Sequence, residues 1–158
     1  AHGNGRLIDL VISDDHSKDN TRHYIDHWSE KHRHLFRSVK TIYNAENIGT
    51  CSSVYNMLRE VDARCCKLTA GDDVYSYENI FEISEYHENI SMASGLPLHL
   101  FGSTLHEDKL SSLLATATQI IYRNDPLLHR FKHFSYNNAP NIIYSTPCVK
   151  DRNVVNFM

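Results

Sequence analysis

The spacing of apolar residues changes several times along the chain, and each change predicts an element. Residues 7–13 (Leu-Ile-Asp-Leu-Val-Ile-Ser) form a short apolar run rich in β-branched side chains, which predicts a buried strand. It empties into a polar turn, Asp14-Asp15-His16-Ser17-Lys18-Asp19-Asn20-Thr21, in which Asn20 or Thr21 is placed to cap a following helix. That helix carries Tyr24, Ile25 and Trp28 at helical spacing and is expected to fray near the histidines. Alternation over 39–43 (Val-Lys-Thr-Ile-Tyr) predicts a second strand and 44–49 a loop. A helix is expected over 50–61, with Val54, Met57, Leu58 and Val61 on one face. Residues 64–70 read as a third strand, 78–87 as a helix with Ile80, Phe81 and Ile83 inward, and 90–93 as a fourth strand. Further on, 105–123 holds a helical run whose stripe of Leu110, Leu113, Leu114, Ala117 and Ile121 suits core or partner packing. Ile142-Ile143-Tyr144, bounded by prolines, reads as a strand.

Strand and helix thus alternate over the first ninety or so residues. That order predicts an α/β fold with a mostly parallel sheet flanked by helices. Such sheets bind ligands at the carboxyl ends of their strands. Three polar turns fall there: Asp14-Asp15, the Asn47-x-Gly49 loop, and Gly71-Asp72-Asp73 at the end of Lys67-Leu68-Thr69-Ala70. Two adjacent carboxylates at the end of a buried strand are costly unless something positive lies beside them. A divalent cation with oxygen preference, completed by a phosphate, is one partner. A solvated turn with a helix-capping Asp is the plainer alternative.

Composition narrows this picture only modestly. At 158 residues the chain is expected to be one domain, and 41% hydrophobic with 22% charged residues is ordinary for a globular protein. A formal net charge of -3 gives no basic field for nucleic acid, and no apolar run is long enough to span a bilayer. The 4 cysteines, Cys51, Cys65, Cys66 and Cys148, include no C-x-x-C pair, and the adjacent Cys65 and Cys66 point to opposite faces of a strand. Reduced thiols in a cytoplasmic protein are expected. Of the 11 histidines, His23 and His27 share a helix face at a spacing that can bind zinc, but their charged surroundings read as a solvated helix surface.

With the three turns in place, the sequence resembles the family two glycosyltransferases, inverting enzymes with the nucleotide-diphospho-sugar transferase (GT-A) fold. Ile12-Ser13-Asp14-Asp15-His16-Ser17-Lys18-Asp19-Asn20-Thr21 is similar to that family's Asp-Asp-Gly-Ser-x-Asp-x-Thr block, with His16 in place of the usual glycine. Asn44-Ala45-Glu46-Asn47-Ile48-Gly49, followed by Asn56, resembles its Asn-x-Gly segment and the asparagine of the next helix. Ala70-Gly71-Asp72-Asp73 is a form of its metal-binding Asp-x-Asp motif. The resemblance runs from Leu7 to about Ile90. It implies a Rossmann-like domain with a nucleotide-sugar-binding part at about 7–95 and the start of an acceptor-side part at about 96–158. One carboxylate of Asp14-Asp15 would accept a hydrogen bond from the nucleotide base. Asp72 would lie near the ribose and the metal, and Asp73 would ligate Mn2+ or Mg2+ bridging the diphosphate. Asn47 and Gly49 would let the backbone approach the phosphates. The implied donor is a UDP- or dTDP-sugar and the acceptor a saccharide or lipid-linked hydroxyl. The implied setting is polysaccharide or glycoconjugate synthesis, cytoplasmic or at the inner face of the membrane.

The chain departs from the family in two places. The usual opening strand with its Pro-x-Tyr-Asn-like segment is absent. The catalytic base normally comes from a Glu-Asp pair heading a helix. Glu107-Asp108 has those letters but precedes the acceptor-side strand that 141–152 resembles, so Asp108 is the candidate within the chain and a base beyond Met158 is expected. The chain therefore reads as the central part of a larger enzyme. Two other readings compete: a nucleotide-sugar-binding piece without turnover, and a response-regulator receiver. Against the receiver stand the Asn-x-Gly loop, the Asp72-Asp73 doublet and the lack of a later Thr/Ser and Lys at strand ends.

Overall fold

The computed structural model describes residues 7–73, 92–94, 99–133 and 142–151. Strand β1 (Asp9–Asp14) is followed by α1 (Thr21–His32), a 3-10 turn (Arg33–Leu35), β2 (Ser38–Tyr43) and α2 (Thr50–Arg59). Then come β3 (Cys65–Lys67), β4 (Met92–Ser94), β5 (His99–Phe101) and β6 (Thr104–His106). Helices α3 (Lys109–Ile121) and α4 (Leu127–His133), strand β7 (Ile142–Ser145) and helix α5 (Thr146–Val149) complete the order. The fold is mixed α/β. The expected helix at 78–87 lies outside the described residues.

β1 and β2 pair in parallel, in a register running from Asp9 opposite Ser38 to Asp14 opposite Tyr43. A parallel pair needs a crossover, and α1 lies within the one used here. The amino end of the pair is pinned by charge. Arg37 Nε donates to Asp9 Oδ1 at 2.8 Å, a second guanidinium nitrogen donates to Asp9 Oδ2, and Ser38 Oγ donates to Asp9 Oδ1 at 2.6 Å. The parallel relation expected of a larger sheet is seen among the described residues for β1 and β2. β3 instead belongs to a three-stranded sheet ordered β3-β7-β4, and β5 and β6 form an antiparallel hairpin. Apolar runs reveal that a strand exists; its partner is chosen by contacts distant in sequence.

Several boundaries also shift. α1 starts at Thr21, but neither Asn20 nor Thr21 caps it with a side chain. Asp19 does the work, accepting from Thr21 N at 3.0 Å and Thr21 Oγ1 at 2.5 Å, because a carboxylate is a stronger acceptor for an orphan helix amide than an amide or hydroxyl oxygen. The helix passes the histidines and ends at His32, with Lys31 and His32 favourably placed in its last turn. It buries none of its residues, and Tyr24 and Trp28 are exposed. Trp28 instead stacks on His32, ring centroids 4.5 Å apart. α2 stops at Arg59, short of Val61. The third strand is three residues long, because Ala70 and Asp73 close a turn after it.

The chain divides into two compact units, 1–66 with 74–91 and 144–158, and 67–73 with 92–143. In the first unit α2 buries Leu58, with Val54 and Met57 half-buried on the same apolar face, and Ser53 is buried at its edge. In the second, the hairpin turns at Gly102, whose φ of 61° suits a tight connection. Leu105 is therefore a strand residue, and helix begins only at Lys109. On α3 Ala115 is buried, while Leu110, Leu113, Leu114 and Ile121 of the expected stripe are exposed, as is Ile120. The helical period was right; the inward side of the helix is the one bearing Ala115. No described helix is long and apolar enough to cross a membrane.

Leu58 is the most deeply buried large apolar side chain described in the first unit. Leu58→Ala is expected to cost about 2–4 kcal/mol of stability, read as a lower denaturation midpoint with an unchanged slope.

Candidate functional site

The carboxyl ends of β1 and β2 carry a hydrogen-bonded cluster in which Asp14 and Asn44 are buried, Asp15 and Arg22 half-buried, and Ser17 and Asn47 exposed. Asp14, the last residue of β1, is 4% exposed. Its carboxylate accepts from Ser17 N, from which both oxygens lie at 3.3 Å, and from Arg22 Nε at 3.2 Å. Hydrogen bonding from the Ser17 side chain is the main reason its carboxyl sits below the ordinary 3.8; burial pushes the other way and Arg22 adds to the lowering. Beside it in the sheet, Asn44 N donates to Asp14 O at 3.0 Å, extending the ladder one residue past β2.

Asp15 binds the neighbouring loop. Its Oδ1 accepts from Asn44 Nδ2 and from Ile48 N, both at 2.9 Å, and its Oδ2 accepts from Gly49 N at 2.8 Å. These bonds, the Ile48 amide foremost, hold its carboxyl below the ordinary value. Asn44 is 9% exposed and also donates to Ser53 Oγ of α2 at 3.0 Å. Asn47 Oδ1 accepts a second bond from the Gly49 amide at 3.1 Å. Gly49 precedes α2 with φ 83° and ψ 160°, a conformation close to glycine-only. The loop is therefore held by a carboxylate and permitted by a glycine.

His16 has φ 65°, the left-handed region, at the position where the resembled motif has glycine. Its Nδ1 is buried without a hydrogen-bond partner. Both features cost free energy.

Of the residues singled out in the sequence, the structure thus brings Asp14, Asp15, Asn47 and Gly49 together. Asp72 and Asp73 belong to the second compact unit. Asp72 is exposed, and Asp73 closes its own turn, its Oδ2 accepting from Ala70 N at 2.8 Å while its amide donates to Ala70 O at 3.2 Å. Asp108 heads α3 as its N-cap, accepting from Ser111 N at 3.0 Å and from the Ser111 hydroxyl. The Ser111 hydroxyl chiefly holds the Asp108 carboxyl low, which makes it a weak proton acceptor. His23 and His27 lie exposed on α1 with ring centroids 6.5 Å apart, and all four cysteines are free.

Spacing in the sequence missed Arg22, Asn44's side chain and Ser53. Asn44 had one signal, a polar residue ending an apolar strand. Arg22 had none, because its partners lie 8 and 22 residues away.

No group of three or more His, Cys, Asp or Glu side chains among the described residues can hold a metal ion by itself. Adjacent carboxylates such as Asp72 and Asp73 fit a different kind of site. Mg2+ and its like are commonly bound through one or two carboxylates, with substrate phosphate and water completing the shell. Of these two donors Asp72 is exposed, and Asp73 already receives the Ala70 amide on Oδ2.

Compared with models of known families, with curated proteins and with solved structures, the chain finds no match. Chemically, the cluster at the ends of β1 and β2 is a set of carboxylates, amides and a guanidinium bonded to one another.

Two backbone positions should respond oppositely to substitution. His16→Gly is expected to raise stability by about 0.5–1 kcal/mol, whereas Gly49→Ala should lower it by about 1–3 kcal/mol although space is open around that carbon. Thermal melts of both variants check this. Acid should act through Asp14 and Asp15. Both are lowered in the folded state, so their contribution is present above the unfolded value of 3.8 and is lost as pH falls through the folded values. Denaturation titrations should show stability falling below about pH 4, less steeply in Asp15→Asn than in the parent.

Proposed function

We propose that this chain is the nucleotide-sugar-binding part of an inverting, metal-dependent glycosyltransferase of the GT-A type, using a UDP- or dTDP-sugar. The observation that carries the reading is the lock between the Asp14-Asp15 turn and the 44–49 loop at the carboxyl ends of two parallel strands. That edge is where open α/β sheets take nucleotides. A second observation supports it: His16 holds the left-handed conformation at the one position where the resembled motif requires glycine.

On this reading β1 and β2 are the start of a larger Rossmann-like parallel sheet. The turn and loop orient the nucleoside, with the half-buried Asp15 carboxylate, rather than the enclosed Asp14, left to receive an N–H from the base. Because the Gly49 amide is already given to Asp15 and Asn47, Gly49 contributes loop shape rather than a phosphate contact. Asp73 and Asp72 would hold the cation, which when bound supplies positive charge to the departing nucleoside diphosphate. The acceptor is a saccharide or lipid-linked hydroxyl, and the setting is polysaccharide or glycoconjugate synthesis at the cytoplasmic side of a membrane.

A second reading, binding without turnover, is favoured by one observation. Asp108, the candidate base within the chain, is committed to capping α3.

Calorimetry with UDP in the presence and absence of Mn2+ tests the proposal. Binding that depends on manganese and weakens by about tenfold or more in Asp73→Ala supports it. Absence of binding in the parent chain under both conditions defeats it. Sugar release from UDP-sugars, assayed on the same samples, separates transferase from binder.

A further inference from the structure

Arg22 sits in the first turn of α1 and touches both strand ends. Its Nε donates to the buried Asp14 carboxylate at 3.2 Å, and its Nη2 donates to the backbone carbonyl of Asn44 at 2.8 Å. The same guanidinium lies over the ring of Tyr43, 5.1 Å from the centroid. Tyr43 is itself held from the same helix, its hydroxyl donating to Asp26 Oδ1 at 2.5 Å. Arg22 and Asp26 thus grip the Tyr43-Asn44 segment between them.

That grip bears on the loop through Asn44. The Asn44 peptide is fixed on one side by its amide bonding to Asp14 O and on the other by its carbonyl accepting from Arg22. With the peptide plane set, the side-chain amide reaches Asp15 and Ser53. Asp15 in turn holds the amides of Ile48 and Gly49. Each link is a directed bond in a buried or half-buried place, where leaving a partner unpaired costs more than the bond itself contributes.

We infer that Arg22 is the positioning residue of this edge: acting through Asp14 and Asn44, it sets the geometry in which Asp15 holds the Ile48 and Gly49 amides and the 44–49 loop presents its binding face. A lysine cannot replace it. One ammonium is a point charge without the planar fork that serves a carboxylate, a carbonyl and a ring face at once. The nucleotide consequence rests on the glycosyltransferase reading above; the effect on the loop does not.

Arg22→Lys and Arg22→Ala, made in the full chain, test this by amide hydrogen exchange on the free protein and by UDP titration with Mn2+. Exchange at Ile48 and Gly49 is expected to rise by about tenfold in Arg22→Lys while the amides of the β1–β2 ladder keep their protection, and UDP affinity is expected to fall by about tenfold. Tyr43→Phe, which keeps the ring and removes the bond to Asp26, should have a smaller effect on the same two amides. Unchanged protection of Ile48 and Gly49 in Arg22→Lys overturns the proposal. So does a uniform rise in exchange across the ladder, which marks a merely structural residue. Should Arg22→Ala fail to fold, Arg22→Lys carries the decision. If the parent chain binds no UDP, the nucleotide reading falls and the exchange measurement still decides the role of Arg22.

Discussion

A carboxylate only 4% exposed has to be compensated where it stands, and the compensation of Asp14 organises the first compact unit. Ser17 supplies one part from the turn directly after the strand, and Arg22 another from the following helix. Because the same guanidinium also satisfies the Asn44 carbonyl, solvating one charge aligns a helix with two strand ends. An apolar contact at this place would have left their relative position loosely defined. Directed bonds of fixed length leave little slack.

The parallel pair is consequently fastened at both ends by side chains of opposite charge. At the amino end Arg37 and Ser38 engage Asp9; at the carboxyl end Arg22 engages Asp14. The two fastenings differ in exposure. Both arginines are open to water, but the Asp14 side chain is 2% exposed against 18% for Asp9, so the carboxyl end should matter more to position and the amino end be screened more by salt.

Much of this was legible in the sequence, and the boundary of legibility follows sequence distance. β1, β2, α1 and α2 follow from local signals: β-branched runs, a polar turn, and Gly49 before Thr50. The Asp14-Asp15 turn and the 44–49 loop were legible as neighbours because parallel strands bring their ends together. Arg22 was not, since no pattern in a helix tells which exposed-looking residue will reach back across a strand pair. The hairpin at 99–106 had a signal in Gly102 that the apolar run beginning at Leu105 masked. On α3, periodicity located a stripe but not its outward orientation, which depends on what Ala115 packs against. Asp72-Asp73 and Asp108 illustrate a third case, in which residue type is visible and allegiance is not. One closes a turn and the other begins a helix, duties that any Asp at such a place performs well.

The register of β1 against β2 has a consequence for how this segment can diverge. Asp14 faces Tyr43 across the ladder, and Asn44 joins the polar cluster one residue later. Lengthening or shortening the connection around Arg33–Leu35 leaves those partners level with each other, since that bend lies at the opposite end of the pair. Adding or removing a single residue between Ile42 and Gly49 would instead displace Asn44 or the two loop amides by one step and turn their donors away from Asp15. Length variation among natural relatives should accordingly accumulate before β2 and be purged after it.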